Sequence, residues 1–418
     1  MCHRKHIKES AEESIVEMED SSDSSDVSMT DSDSENQISE TDNGDGVDVS
    51  NLNTDYDVEL QEDDEEEEED ETIKAIKNES KKERDRPPNI QCEDFITDIS
   101  FHPHEDLLAI ANIVGDVLIY KYSNETNELV NTIELHTKAC RDIEFSCDGK
   151  LLFSTSKDKS IMITDVSSGQ LVKFYENSHD VPVYCLTVID ENLFATGDDD
   201  GMIKLWDMRE KSDKQIYKTK KNEDYISDMV TNDAKNYLVC SSGDGSIISI
   251  DLQNRKIHMQ SEEYEEELTC LGTFRTETKL VSGSSKGKLF VYNWEEFGLH
   301  SDIFPGPKTS INSLVPITEN IVVTACEDGN LRATHLFPHR HLGIVGQHDL
   351  SIENVDICNT GQFIASSSHN NDIKFWNIQY FEDFEKINHK KYNKKKELRN
   401  NLPSSNIKNA SDFFSGLC

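Results

Sequence analysis

The sequence predicts an all-β protein, a seven-bladed WD40 β-propeller with a disordered acidic N-terminal arm and a basic C-terminal tail. Three observations carry this. A motif of small residues, an acidic turn and an alternating strand recurs seven times along the chain. The recurrence is regular, with a period of 42–44 residues. Charge and apolar content change abruptly near residue 86.

The motif reads STSKDKSIMITD (154–165), ATGDDDGMIKLWD (195–207), SSGDGSIISID (241–251), VSGSSKGKLFVYN (281–293), VTACEDGNLRATH (323–335) and ASSSHNNDIKFWN (365–377), with a weaker copy, AIANIVGDVLIYK (109–121). The strand-ending positions are Tyr120, Thr164, Trp206, Ile250, Tyr292, Thr334 and Trp376, spaced 44, 42, 44, 42, 42 and 42 residues apart. A period of this length with a Trp-Asp-like ending is that of a four-stranded propeller blade. The blades fall at about 95–133, 134–177, 178–221, 222–262, 263–305, 306–346 and 347–386, making a propeller of residues 87–386. After Trp376 too little apolar chain remains for a fourth strand in the last blade. A strand near 89–92 is expected to supply it, tying the two ends together and removing a sheet edge.

Turn chemistry supports the blades. Asp158, Asp200, Asp244 and Asp328 lie six residues before the strand-ending position and suit a tight turn. Gly201, Gly245, Gly287 and Gly329 follow, where positive φ is cheap. A His, a strand Ser or Thr, the turn Asp and the Trp are expected to form a buried hydrogen-bond chain. Blade three offers His179, Thr196, Asp200 and Trp206. Blade two offers His136, Ser154 and Asp158. Blade seven offers His348, Ser366 and Trp376, with Asn370 in place of Asp.

The flanks differ from the propeller. Residues 9–73 hold 28 Asp or Glu and no Lys or Arg, and residues 1–86 contain one aromatic, Tyr56. Such a segment cannot bury enough apolar surface to offset the entropy of ordering, so 1–86 reads as a disordered arm. Ser28, Thr30, Ser32 and Ser39 each precede an acid by three residues, as do Ser10 and Ser14, which makes them candidate phosphorylation sites for an acid-directed kinase. The tail, 387–418, carries Lys390, Lys391, Lys394, Lys395 and Lys396 and is the stronger of two basic clusters; the other is Lys81–Arg86. Short basic clusters direct nuclear import or contact nucleic acid, and equally occur as plain solvated tails.

Ten scattered cysteines without a CxxC pair argue for a reducing compartment. The N-terminus has no apolar core of a secretory signal, and no stretch approaches membrane-spanning length. The search for chemistry is negative. GDDDG (197–201) resembles a cation site but repeats the turn of every blade, and His335, His339 and His341 lack a neighbouring Cys or carboxylate at ligand spacing. No phosphate-cradling loop and no nucleophile elbow occurs, so the expectation is no enzyme, no cofactor, no metal and no small-molecule substrate.

The segments FHPHEDLLAIANIVGDVLIYKY (101–122), KACRDIEFSCDGKLL (138–152), DENLFATGDDDGMIKLWDMR (190–209), GSSKGKLFVYNWEEFG (283–298) and the final SDFFSGL (411–417) resemble the WD repeat-containing protein 55 family. The resemblance runs from about residue 87 to the end. It implies an intracellular scaffold of the nucleus and nucleolus, partly cytoplasmic, acting in ribosomal RNA production and ribosome assembly. Its expected partners are pre-ribosomal proteins, with RNA reached through the basic tail and no membrane. It also implies a role as substrate receptor of a cullin-4 ubiquitin ligase, through a WDxR signature matched by Trp206, Asp207 and Arg209. A further alternative is a chaperone of histones or other basic proteins, with the acidic arm as the binding segment.

Overall fold

The computed structural model describes residues 71–82, 84–211 and 214–381. Candidate sites Ser28, Thr30, Ser32 and Ser39 and the lysines 390–396 lie outside these residues.

Seven antiparallel sheets, each of four strands, follow one another along the chain. Blade one comprises Ile96–Phe101, Leu107–Asn112, Asp116–Tyr122 and Asn127–Glu134, and blades two to six repeat this order. Their inner strands begin at Cys140, Val183, Ile226, Leu268 and Ile311. Blade seven has three strands of its own, Ile352–Ile357, Phe363–Ser368 and Asp372–Asn377. Its outermost strand is Ile90–Gln91, paired antiparallel with Asp372–Asn377. The two ends of the propeller thus close on each other, as expected from the scarcity of apolar chain after Trp376.

The repeat appears as a common register. The strand-ending residue pairs with the residue twelve earlier in every blade: Leu108 with Tyr120, Leu152 with Thr164, Phe194 with Trp206, Leu238 with Ile250, Leu280 with Tyr292, Val322 with Thr334 and Ile364 with Trp376. Second strands are buried on both faces, which explains their continuous apolar and small residues. Gly201 shows why the turn wants glycine. Its φ is +79°, and a Cβ would lie 2.6 Å from the Asn222 carbonyl oxygen and 2.7 Å from that of Asp224 in the following loop.

One part of the predicted arm is structured, which corrects the expectation of disorder throughout 1–86. Glu71–Ser80 form an α-helix. Lys81 and Lys82 follow its last residue, where positive charge complements the helix dipole. Ile76 is 3% exposed and shares an apolar cluster with Val315, Ile321, Leu342, Tyr380 and Phe381 of blades six and seven. The basic cluster that follows is also engaged. The Arg84 guanidinium lies 4.6 Å from the Tyr380 ring centroid and that of Arg86 5.2 Å from the Trp376 ring. Arg86 also donates to the Phe375 carbonyl at 3.2 Å, and Asn377 donates to that of Asp85 at 3.1 Å.

Candidate functional site

The expected hydrogen-bond chains connect as follows. In blade three, Trp206 Nε1–H donates to Thr196 Oγ1 at 2.8 Å, and Thr196 Oγ1 lies 2.7 Å from His179 Nε2. The indole can only donate, so the threonine proton points to Nε2 and His179 carries its own proton on Nδ1. That proton meets Asp198 Oδ2 at 2.8 Å. Burial holds the His179 pKa below its ordinary value, so the ring is neutral. Blade seven repeats the chain with Trp376, Ser366 and His348, at 2.9 and 2.7 Å. In blade two, His136 contacts Ser154 and Ser160, each at 2.9 Å, and lies 3.4 Å from Asp158. Burial raises the Asp158 pKa, but hydrogen bonds from His136 and Ser160 outweigh it and hold it down.

Two assignments are corrected. Asp200 is not in the blade-three chain; Asp198, two residues earlier, takes the place, while Asp200 stands 3.6 Å from Lys220. In blade seven the carboxylate is not missing at Asn370 but supplied by Asp372, 3.1 Å from His348 Nδ1. The acidic run GDDDG is divided among separate duties, since Asp199 pairs with Arg141 of blade two. Among the described residues no three metal-ligating side chains converge, and His339 instead pairs with Asp302 at 3.0 Å.

The WDxR residues divide sharply. Trp206 is 1% exposed. The Arg209 side chain is 71% exposed, and its guanidinium grips Asp207 in a fork, Nε to Oδ1 at 2.9 Å and one terminal nitrogen to Oδ2 at 2.7 Å. That contact lowers the Asp207 pKa to about 2.

The central channel is a concavity of about 840 Å³ walled by the innermost strands. Sequence reasoning missed its chemistry. Asp98, Asp142, Asp228 and Asp356 each accept a backbone N–H of the next blade, from Ile143, Leu186, Leu271 and Phe101, at 2.6–2.8 Å. Glu144 accepts that of Val188 at 2.8 Å. These carboxylates staple blade to blade. Burial raises all five pKa values, to about 6 for Asp356, 7 for Asp228 and 8 for Glu144. With Glu267 and Glu353 at the mouth, seven carboxylates line the channel against one guanidinium, that of Arg141. A sequence signal existed: Asp98, Asp142 and Asp228 each stand 22 residues before a strand-ending position.

A closed ring of seven such sheets, with Trp–Ser/Thr–His–Asp chains under two of them, defines a WD-repeat propeller, a class whose members act as scaffolds for protein–protein interaction. The WDR55 family matches residues 87–381. The WD repeat-containing protein 55 homolog of Aedes aegypti is 54% identical over 363 residues, 87% of this chain and 76% of that protein. The homolog of Drosophila erecta is 50% identical over 369 residues, covering 88% and 73%, and that of Drosophila persimilis 53% over 346, covering 82% and 68%. This chain belongs to the WDR55 family.

Proposed function

We propose that this protein is a non-catalytic scaffold of the nucleus and nucleolus that holds pre-ribosomal factors together during ribosomal RNA production and ribosome assembly. The supporting observation is the family match across the whole propeller, residues 87–381, since the family resemblance implies this work. The lysines 390–396 fit it as an import signal or RNA contact. The engagement of Arg84 and Arg86 with blade seven leaves that tail as the better candidate of the two basic clusters. Affinity purification with nuclease treatment tests the reading. Retained pre-ribosomal proteins support it, and their absence overturns it. Replacing Lys390, Lys391, Lys394, Lys395 and Lys396 with Ala is expected to move a fluorescent fusion from nucleolus to cytoplasm; unchanged localisation removes the tail from the argument.

The exposed Arg209 supports a second reading, a substrate receptor of a cullin-4 ligase. Its fork is already closed on Asp207, so a partner carboxylate has to compete with that pair. Arg209→Ala is expected to change stability by less than about 0.5 kcal/mol, read by chemical denaturation. Loss of the cullin-4 adaptor from the purified complex, with ribosomal partners retained, establishes the second reading. Adaptor binding that is absent in the parent or survives the change removes it.

A further inference from the structure

The turn between the second and third strands of each blade has two residues at its apex. In blades two to seven these are Lys157-Asp158, Asp199-Asp200, Gly243-Asp244, Ser285-Lys286, Glu327-Asp328 and His369-Asn370. Blade one carries Ile113-Val114, exposed by 52% and 50%. The turn does not need them. Asn112 holds it, its Oδ1 accepting the N–H groups of Val114, Gly115 and Asp116 at 3.1, 2.9 and 2.8 Å and its carbonyl that of Gly115 at 3.2 Å. Two large apolar side chains therefore face solvent where every other blade is polar or glycine, at a cost the fold does not explain.

They are not isolated. Ile113 N–H donates to the Phe95 carbonyl, and the Phe95 ring meets the His369 ring edge-on at 5.1 Å. His369 N–H donates to the Ser351 carbonyl, beside Leu350, itself 48% exposed. Exposed apolar residues of blades one and seven thus flank Phe95 on the channel lip, linked through the His369 ring, which pairs with Glu353 at 2.7 Å. Across the channel stand Tyr184 and Tyr225, with ring centroids 4.8 Å apart, and between lies the wall of seven carboxylates and one guanidinium.

We propose that this channel mouth is a docking site for an extended peptide segment of a protein partner, with a basic side chain directed into the channel and apolar neighbours on Ile113, Val114 and Leu350. Charge complementarity selects the cation and disfavours nucleic acid, whose phosphates would face the carboxylates. The Tyr184 ring already receives the Arg141 guanidinium 5.3 Å from its centroid, so this wall accommodates a cation. The inference rests on the scaffold reading and assigns it a surface.

The test is fluorescence anisotropy of the full-length protein with a labelled seven-residue peptide holding one arginine flanked by leucines. The parent is expected to bind it, and the same peptide with glutamate for arginine, or serine for the leucines, is expected to bind at least roughly tenfold more weakly. Ile113→Ser with Val114→Ser keeps the acidic arm and all channel carboxylates, and is also expected to lose roughly tenfold in affinity. Its thermal melt checks folding, and Leu350→Ser provides an independent second variant. Undetectable binding by the parent overturns the proposal. So does unchanged affinity in both variants, which attributes the binding to the acidic arm. A labelled oligouridine that binds the parent and not the variants also overturns it, in favour of RNA. Ribosomal partners that still co-purify in any of these cases leave the scaffold reading intact.

Discussion

A carboxylate two residues away in sequence is not interchangeable with its neighbour. Asp198 closes the blade-three chain, so Asp198→Ala leaves the buried His179 Nδ1–H without an acceptor. That is expected to cost about 1–3 kcal/mol in chemical denaturation. Asp200, 59% exposed at its side chain, is expected to cost less than about 0.5 kcal/mol on the same change. Equal effects would show that the chain does not contribute to stability as described. Sequence alone could not choose among Asp198, Asp199 and Asp200, because all three satisfy the turn. The choice follows from strand register. Asp198 is the last residue of its strand, its side chain turned inward beside His179, while Asp199 faces Arg141 on the neighbouring blade.

At the scale of elements, the helix Glu71–Ser80 is the main departure from the sequence expectation. Within an acid-rich segment Ile76 is the one buried residue among the described side chains of this helix, and composition does not register it. A chain beginning at Glu71 is expected to match the full-length protein in stability, whereas one beginning at Pro87 loses Ile76, Arg84 and Arg86. Burying an isoleucine contributes about 1.5–3 kcal/mol, and each cation–π contact about 0.5–1 kcal/mol. The shorter chain should therefore be less stable by about 2.5–5 kcal/mol. Equal denaturation midpoints for the two chains would mean that the helix does not stabilise the ring. The closing strand, by contrast, was legible, because a propeller with too little apolar chain after Trp376 needs another source for its missing edge.

Across the whole molecule, the channel carboxylates make stability depend on pH. Their folded pKa values are raised, to about 6 for Asp356, 7 for Asp228 and 8 for Glu144, above unfolded values of about 4. The folded state therefore binds more protons than the unfolded state between about pH 4 and 8, and stability falls as pH rises through that window. The melting temperature is expected to be higher at about pH 6 than at about pH 8. Glu144→Gln should flatten the upper part of this slope, since it keeps an acceptor for Val188 N–H and removes the titration. A melting temperature that rises from pH 6 to 8, or an unaltered slope in the variant, would contradict the assignment.

The sequence by itself determined the number of blades and their closure. Each blade is encoded locally, through strand alternation and turn residues repeated every 42–44 positions, so a linear reading suffices. Only the tertiary structure decided which carboxylate completes each histidine, that Arg84 and Arg86 lie on blade seven, and that five acids from four blades gather around one channel. These depend on residues brought together by ring closure. Asp356 and Phe101 are 255 positions apart in the chain yet joined by a 2.7 Å hydrogen bond, and no periodicity in the sequence specifies that proximity without the curvature of the ring.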